Sequence, residues 1–152
     1  MARIPQPRDV EIKNQKAKIR LVWKSTFGRE QTECFGTVQK YIDRECILLM
    51  VRYTPMRNGI LSKGAVLGTK IGSGRIIYAI PYARYQYYGK LMVSRLTGSA
   101  YALQGESKVL TDKNLSYNKD SHPLAQRLWF ETMKHNHKEA ILRGAARISK
   151  RK

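Results

Sequence analysis

The side chains able to ligate a metal or act as nucleophiles are few: His122, His135, His137, Cys34 and Cys46, beside 11 carboxylates. His135 and His137 stand two apart, which on a helix turns them about 200° from each other and denies them a common ion. Asp43 and Glu45 diverge for the same reason, so they make no pair for general acid–base work. A cysteine–histidine nucleophile needs a thiol activated by its surroundings, and neither cysteine lies in a sequence context that supplies activation. Gly72-Ser73-Gly74 is not followed by the Gly-Lys-Ser/Thr of a phosphate loop, and no acidic residue lies near enough to hold a metal or ribose; turn chemistry accounts for it. Tyr78, Tyr82, Tyr85, Tyr87 and Tyr88, mixed with Arg75, Arg84 and Lys90, have the composition of a base-stacking platform. Packing with the hydroxyls at the rim accounts for them more simply. The expectation is a protein without catalytic residues, cofactor or metal.

Charge says more than any of these groups. Lys and Arg number 29 against 11 acids, a net +18, and such an excess reports on anionic partners rather than on the fold. The first 24 residues hold seven basic side chains against Asp9 and Glu11, and the stretch from Met133 to Lys152 holds seven against Glu139. Both ends therefore read as basic extensions, an arm over about 1–16 and a tail over about 149–152. Between Glu45 and Glu106 there is no carboxylate, while Arg52, Arg57, Lys63, Lys70, Arg75, Arg84, Lys90 and Arg95 are spread along it. That acid-free stretch suits DNA, RNA or an acidic protein face, or simply keeps a solvated surface soluble.

The elements that must carry these groups fit one domain, 1–152, since 152 residues suffice for a single core. The longest apolar run, Ile47 to Val51, is far below the roughly 20 residues of a membrane span. No apolar stretch follows Arg3, so the N-terminus does not read as a secretory signal and synthesis in a cytosol is expected. Two cysteines make no disulfide framework and are expected as buried free thiols.

Pro5 and Pro7 make the first ten residues a poor start for any element. Ile19, Leu21 and Trp23 alternate with Arg20, Val22 and Lys24 as in a half-buried strand. Phe35, Val38, Tyr41 or Ile42, Cys46 and Leu49 then recur at three and four, predicting a helix of about 25 residues that ends near Tyr53, ahead of Pro55. Asn58-Gly59 marks a tight turn. Alternation over 61–68 and again over Arg75 to Ile80 predicts a hairpin. Tyr82, Tyr85 and Tyr88 share one face of a short helix closed by Gly89. Residues 90–121, polar apart from Leu91-Met92-Val93 and Tyr101-Ala102-Leu103, read as a long mobile loop. Ser121 or His122 caps a second long helix with Pro123 in its first turn, and its stripe runs Leu124, Leu128, Trp129, Met133, Ala140, Ile141, Ala145, Ile148. The fold class is α+β, two long helices packed against a small antiparallel sheet.

Three stretches carry a resemblance: Tyr53-Thr54-Pro55-Met56-Arg57-Asn58-Gly59-Ile60-Leu61, then Ile80-Pro81-Tyr82-Ala83-Arg84-Tyr85-Gln86-Tyr87-Tyr88-Gly89-Lys90, then His122-Pro123-Leu124-Ala125 leading to Trp129-Phe130 and Gly144-Ala145-Ala146. In this order they resemble the tailed-phage minor capsid or tail-completion proteins of the neck. The chain departs from that family at the turn, where Thr54-Pro55 and Arg57-Asn58 replace Val-Pro followed by an acid, Thr and Gly. The resemblance implies a structural virion protein: a homo-oligomeric ring, hexamer or dodecamer, joining head connector and portal-side proteins to the tail tube or tail terminator, with room for nonspecific contact with genomic DNA. It implies structural roles for Pro55, Asn58 and Gly59 in the turn, Tyr82, Tyr85 and Gly89 in an aromatic corner, and Pro123, Trp129 and Phe130 in seating the last helix. Leu91, Val93, Tyr101 and Leu103 are expected to contact a neighbouring subunit. Charge alone favours another reading, a small basic nucleic-acid-binding domain such as a ribosome-associated or DNA-packaging factor.

Overall fold

Two long amphipathic helices set the frame. In the computed structural model, which describes residues 3–150, α1 spans Phe27–Met50 and runs through a 3-10 turn, Val51–Tyr53, while α4 spans Trp129–Ser149. They pack along each other, Ile47 and Met50 of α1 meeting Trp129, Met133 and Ile141 of α4 in one buried cluster with Tyr53, Leu61 and Ala83. Gly144 permits the close crossing: a Cβ there would fall 2.0 Å from the Tyr41 hydroxyl. The protein is α+β.

Between the long helices lie α2, Ile60–Gly68, and α3, Ala83–Tyr88. The strands form two separate antiparallel pairs, β1 (Val10–Lys13) with β2 (Lys18–Leu21), and β3 (Lys90–Ser94) with β4 (Lys108–Asn114). A bulge interrupts the second pair between Lys90 and Met92.

Several expectations are corrected by these positions. Residues 61–80 are not a hairpin. The first half is helix α2, because Leu61 and Ala65 at a spacing of four turn inward on Gly59, a residue in the left-handed region at φ 75°. In the second half Ile76, Tyr78 and Ile80 do point inward in extended chain, but no strand pairs with them. Residues 90–121 are not a featureless loop, since they contain β3 and β4. The strand expected at Ile19 to Trp23 exists as β2, yet every residue of β1 and β2 is exposed, so it is not half-buried; its partner β1 starts at Val10, after Pro5 and Pro7. The last helix begins at Trp129, not at Pro123, because Leu128 takes φ 51° and its N–H turns away to donate to the Tyr87 carbonyl at 2.8 Å. Of its expected stripe Trp129, Met133, Ile141 and Ala145 are buried, Leu128 is half-buried, and Leu124 and Ala140 are exposed. Cys34 and Cys46 are half-buried rather than buried. Of the basic tail, Arg151 and Lys152 lie outside the described residues.

Candidate functional site

The chain between α1 and α2 turns a corner that backbone carbonyls hold open for other segments. Thr54 is fully buried and bonds back to the Met50 carbonyl through both its N–H and its Oγ1, at 3.0 Å each. Its own carbonyl accepts from His122 Nδ1 at 2.8 Å, which requires the proton on Nδ1. The Tyr53 carbonyl accepts from the N–H of Gln126 at 3.1 Å, and the Tyr53 hydroxyl meets His137 Nε2 and Asn136 Nδ2 at 3.0 and 3.2 Å. The segment 122–128 is thereby fastened to the corner, and Ala125 is buried against it.

Above this corner α3 delivers an aromatic cluster. Tyr87 stands edge-on to Trp129 with ring centres 4.9 Å apart, and Tyr78 lies 5.5 Å from the same indole. Burial pushes the Tyr78 hydroxyl above its ordinary pKa, with contacts to Thr54 and Trp129 pulling it back; burial likewise raises Tyr87. Trp129 Nε1 is buried without a hydrogen-bond partner among the described residues. Gly89 closes α3 at φ 69°, its carbonyl accepts from Leu115, and the Tyr117 hydroxyl donates to the Gln86 carbonyl. These bonds tie the base of the β3–β4 hairpin to α3.

The three separated stretches are thus close in space. Pro55, Asn58, Gly59 and Tyr82 share a surface depression of about 440 Å³ with Gln86 and Tyr117. The depression is shaped by Asn58, whose Oδ1 accepts from the Ile60 N–H at 3.3 Å. Tyr85 lies apart in a second depression with Tyr88, Met92 and Leu110. The buried aromatic corner is therefore built by Tyr78, Tyr87 and Trp129, not by Tyr82 and Tyr85. Pro123 is exposed and Phe130 half-buried, the latter packed on the core cluster. Leu91 and Val93 are half-buried in β3, while Tyr101 and Leu103 stand out at the hairpin's far loop, 87% and 73% exposed.

One residue escaped sequence reasoning. Asp43 is buried on α1 and its carboxylate accepts from the N–H groups of Gly72 and Gly74, at 2.7 and 3.2 Å, and from Gln39 Nε2 at 2.8 Å. It anchors the Gly72-Ser73-Gly74 turn, so that motif does bind an anion, the chain's own. The only advance signal was an acid on the apolar side of the helix stripe, one residue after Ile42.

Burial, with Asp43 and Glu45 nearby, pushes the Cys46 thiol up, away from thiolate. Among the described residues no group of three His, Cys, Asp or Glu side chains could hold a metal, and no helix is long and apolar enough to cross a membrane. None of the eight cations between Glu45 and Glu106 forms an ion pair with a described residue. No family model, curated protein or solved structure matches the chain.

Proposed function

We propose that the chain is a structural subunit of the tailed-phage neck, assembling into a homo-oligomeric ring that joins the head connector to the tail. The observation that carries this reading is area. The chain exposes 11778 Å², whereas a compact monomer of its 17.5 kDa would expose roughly 7,900 Å². A surface half as large again suits a protein that completes its packing against neighbours. Large apolar side chains, Phe35, Leu48, Leu67, Leu96, Tyr101 and Leu103, are among the exposed residues. The resemblance of the three stretches, close together around the α1–α2 corner, supplies the neck assignment.

Loss of such a subunit leaves two preassembled objects that do not meet. A phage carrying an early stop codon in this reading frame should therefore accumulate capsids and separate tails under the electron microscope. Failure of capsids to form, or normal completed particles, would contradict the junction role.

The cations between Glu45 and Glu106, which form no ion pair with a described residue, favour a second reading, a small basic nucleic-acid-binding domain. Its mark is duplex or single-strand binding that weakens steeply and linearly in log salt. A neck subunit instead shows only weak, nonspecific retention.

A further inference from the structure

The helices leave a hollow beside the aromatic corner. A cavity of about 550 Å³ opens where α1, the extended chain 74–80, α3 and the start of α4 converge, a volume inside the roughly 300–1,000 Å³ of small-molecule sites. Met50 and Trp129, each 1% exposed, lie deepest, and half-buried Ile42, Ile80 and Phe130 wall the space. A flat partner surface does not reach residues so buried. Something inserted does.

The polar groups of this lining are chiefly donors in want of an acceptor. Trp129 Nε1 has no hydrogen-bond partner among the described residues, although the Tyr78 hydroxyl contacts the same indole. An orphaned buried N–H is a standing cost that a bound acceptor removes. Burial raises the Tyr87 hydroxyl above its ordinary pKa, so it keeps its proton and can donate. Arg84 is exposed and forms no ion pair with a described residue. The lining holds one carboxylate, Asp43, whose oxygens already accept from Gly72, Gly74 and Gln39. Between Asp43 and Met50, α1 rises about 10 Å, which sets that charge well away from the deep end.

We infer that the cavity binds a small organic anion. Its apolar body fills the space among Ile42, Ile80 and Phe130, an oxygen of its acidic group accepts from the Trp129 N–H, and Arg84 meets its charge. The net +18 of the chain draws anions to the mouth without choosing among them; the apolar lining selects those with a body to bury. The inference does not rest on the neck reading, since a ring subunit and a nucleic-acid-binding domain would hold the same cavity.

Two dyes of similar shape test it in the full chain, 1-anilinonaphthalene-8-sulfonate with a negative charge and N-phenyl-1-naphthylamine without one. Trp23→Phe leaves Trp129 the sole indole, and at high salt, where surface ion pairs are screened, one sulfonate dye per chain should bind and quench its emission. At about ten times its dissociation constant the dye should slow alkylation of Cys46, which lines the cavity, roughly tenfold and leave Cys34 unchanged. Arg84→Gln, at an exposed position, should weaken the sulfonate about fivefold and leave the uncharged dye as it was. Several sulfonates per chain with no protection of Cys46 would mean pairing with the basic surface and would overturn the site. Absence of binding by either dye would overturn it as well. Unchanged sulfonate affinity in Arg84→Gln would overturn the selection for an anion.

Discussion

Asp43→Ala removes the one carboxylate that fastens the 70–76 turn to α1. Three bonds disappear, to the N–H of Gly72 at 2.7 Å, the N–H of Gly74 at 3.2 Å and Gln39 Nε2 at 2.8 Å. Bonds to a charged acceptor contribute about 1.5–3 kcal/mol each when they stand alone. The full sum does not apply, because Gly74 is exposed and the Gln39 amide can turn to water, whereas Gly72 is half-buried. One strong bond and a fraction of the others give a loss of about 2–4 kcal/mol. With a urea slope of about 2 kcal/mol per molar, the middle of the usual range, the unfolding midpoint should fall by roughly 1–2 M. Asp43→Asn keeps one oxygen acceptor and should recover about half of the loss. Urea unfolding followed by circular dichroism gives the midpoints, and amide exchange at Gly72 and Gly74 reports the turn itself. A variant with the parent's midpoint and unchanged exchange at both glycines would refute the anchoring role and leave the turn to hold itself.

Three further outcomes follow from other sites. Trp129→Ala empties the centre of the cluster against Tyr78 and Tyr87, and should cost about 3–5 kcal/mol, seen as insoluble protein or a collapsed melting temperature; a parent-like melt would contradict the packing. Hydrogen bonds from Ser94, then from the backbone of Leu103 and Leu96, hold the Glu106 carboxyl below its ordinary 4.5. The stabilisation they give is present above 4.5 and is lost as pH falls through the lowered value, so exchange at Leu96 and Leu103, corrected for intrinsic rate, should accelerate there. Glu106→Gln should show no such step, and a step of equal size in that variant would exclude Glu106 as its source. At pH 8 Cys46 should alkylate more slowly than a free thiol such as glutathione, because burial and the nearby carboxylates disfavour its thiolate; equal or faster labelling would contradict that environment.

What was legible in the sequence is what periodicity can carry over a long window. The stripe on α1 fixed its length because 24 residues sample the helical period many times. Over the nine residues of α2 the pair Leu61/Ala65 fits either period while Ala65/Leu67 fits only that of a sheet, and in the helix those last two diverge, Ala65 buried and Leu67 85% exposed. Alternation at Ile76, Tyr78 and Ile80 gave extended chain correctly but could not reveal that no strand lay beside it. Pro123 suggested a helix start by its own chemistry, and the Tyr87 carbonyl overrode it by capturing the Leu128 N–H. Phe35 shows the deepest limit. It belongs to the apolar stripe, yet it is 59% exposed, because a pattern of hydrophobic residues does not by itself say which of them the chain's own core will cover. The three motif stretches were legible as separate words; their closeness depends on the His122–Thr54, Gln126–Tyr53 and Leu128–Tyr87 bonds, which leave no trace in composition.

Electron cryo-microscopy of the neck of purified particles from a phage that carries this reading frame would decide whether the chain is a ring subunit of the junction. The reading predicts closed cyclic density between connector and tail, a hexamer or dodecamer into which this fold docks with α1 and α4 resolved. Particles whose neck has no density for the chain, or that hold it only with the packaged DNA and without ring symmetry, would contradict the junction role and leave the basic surface as its working part.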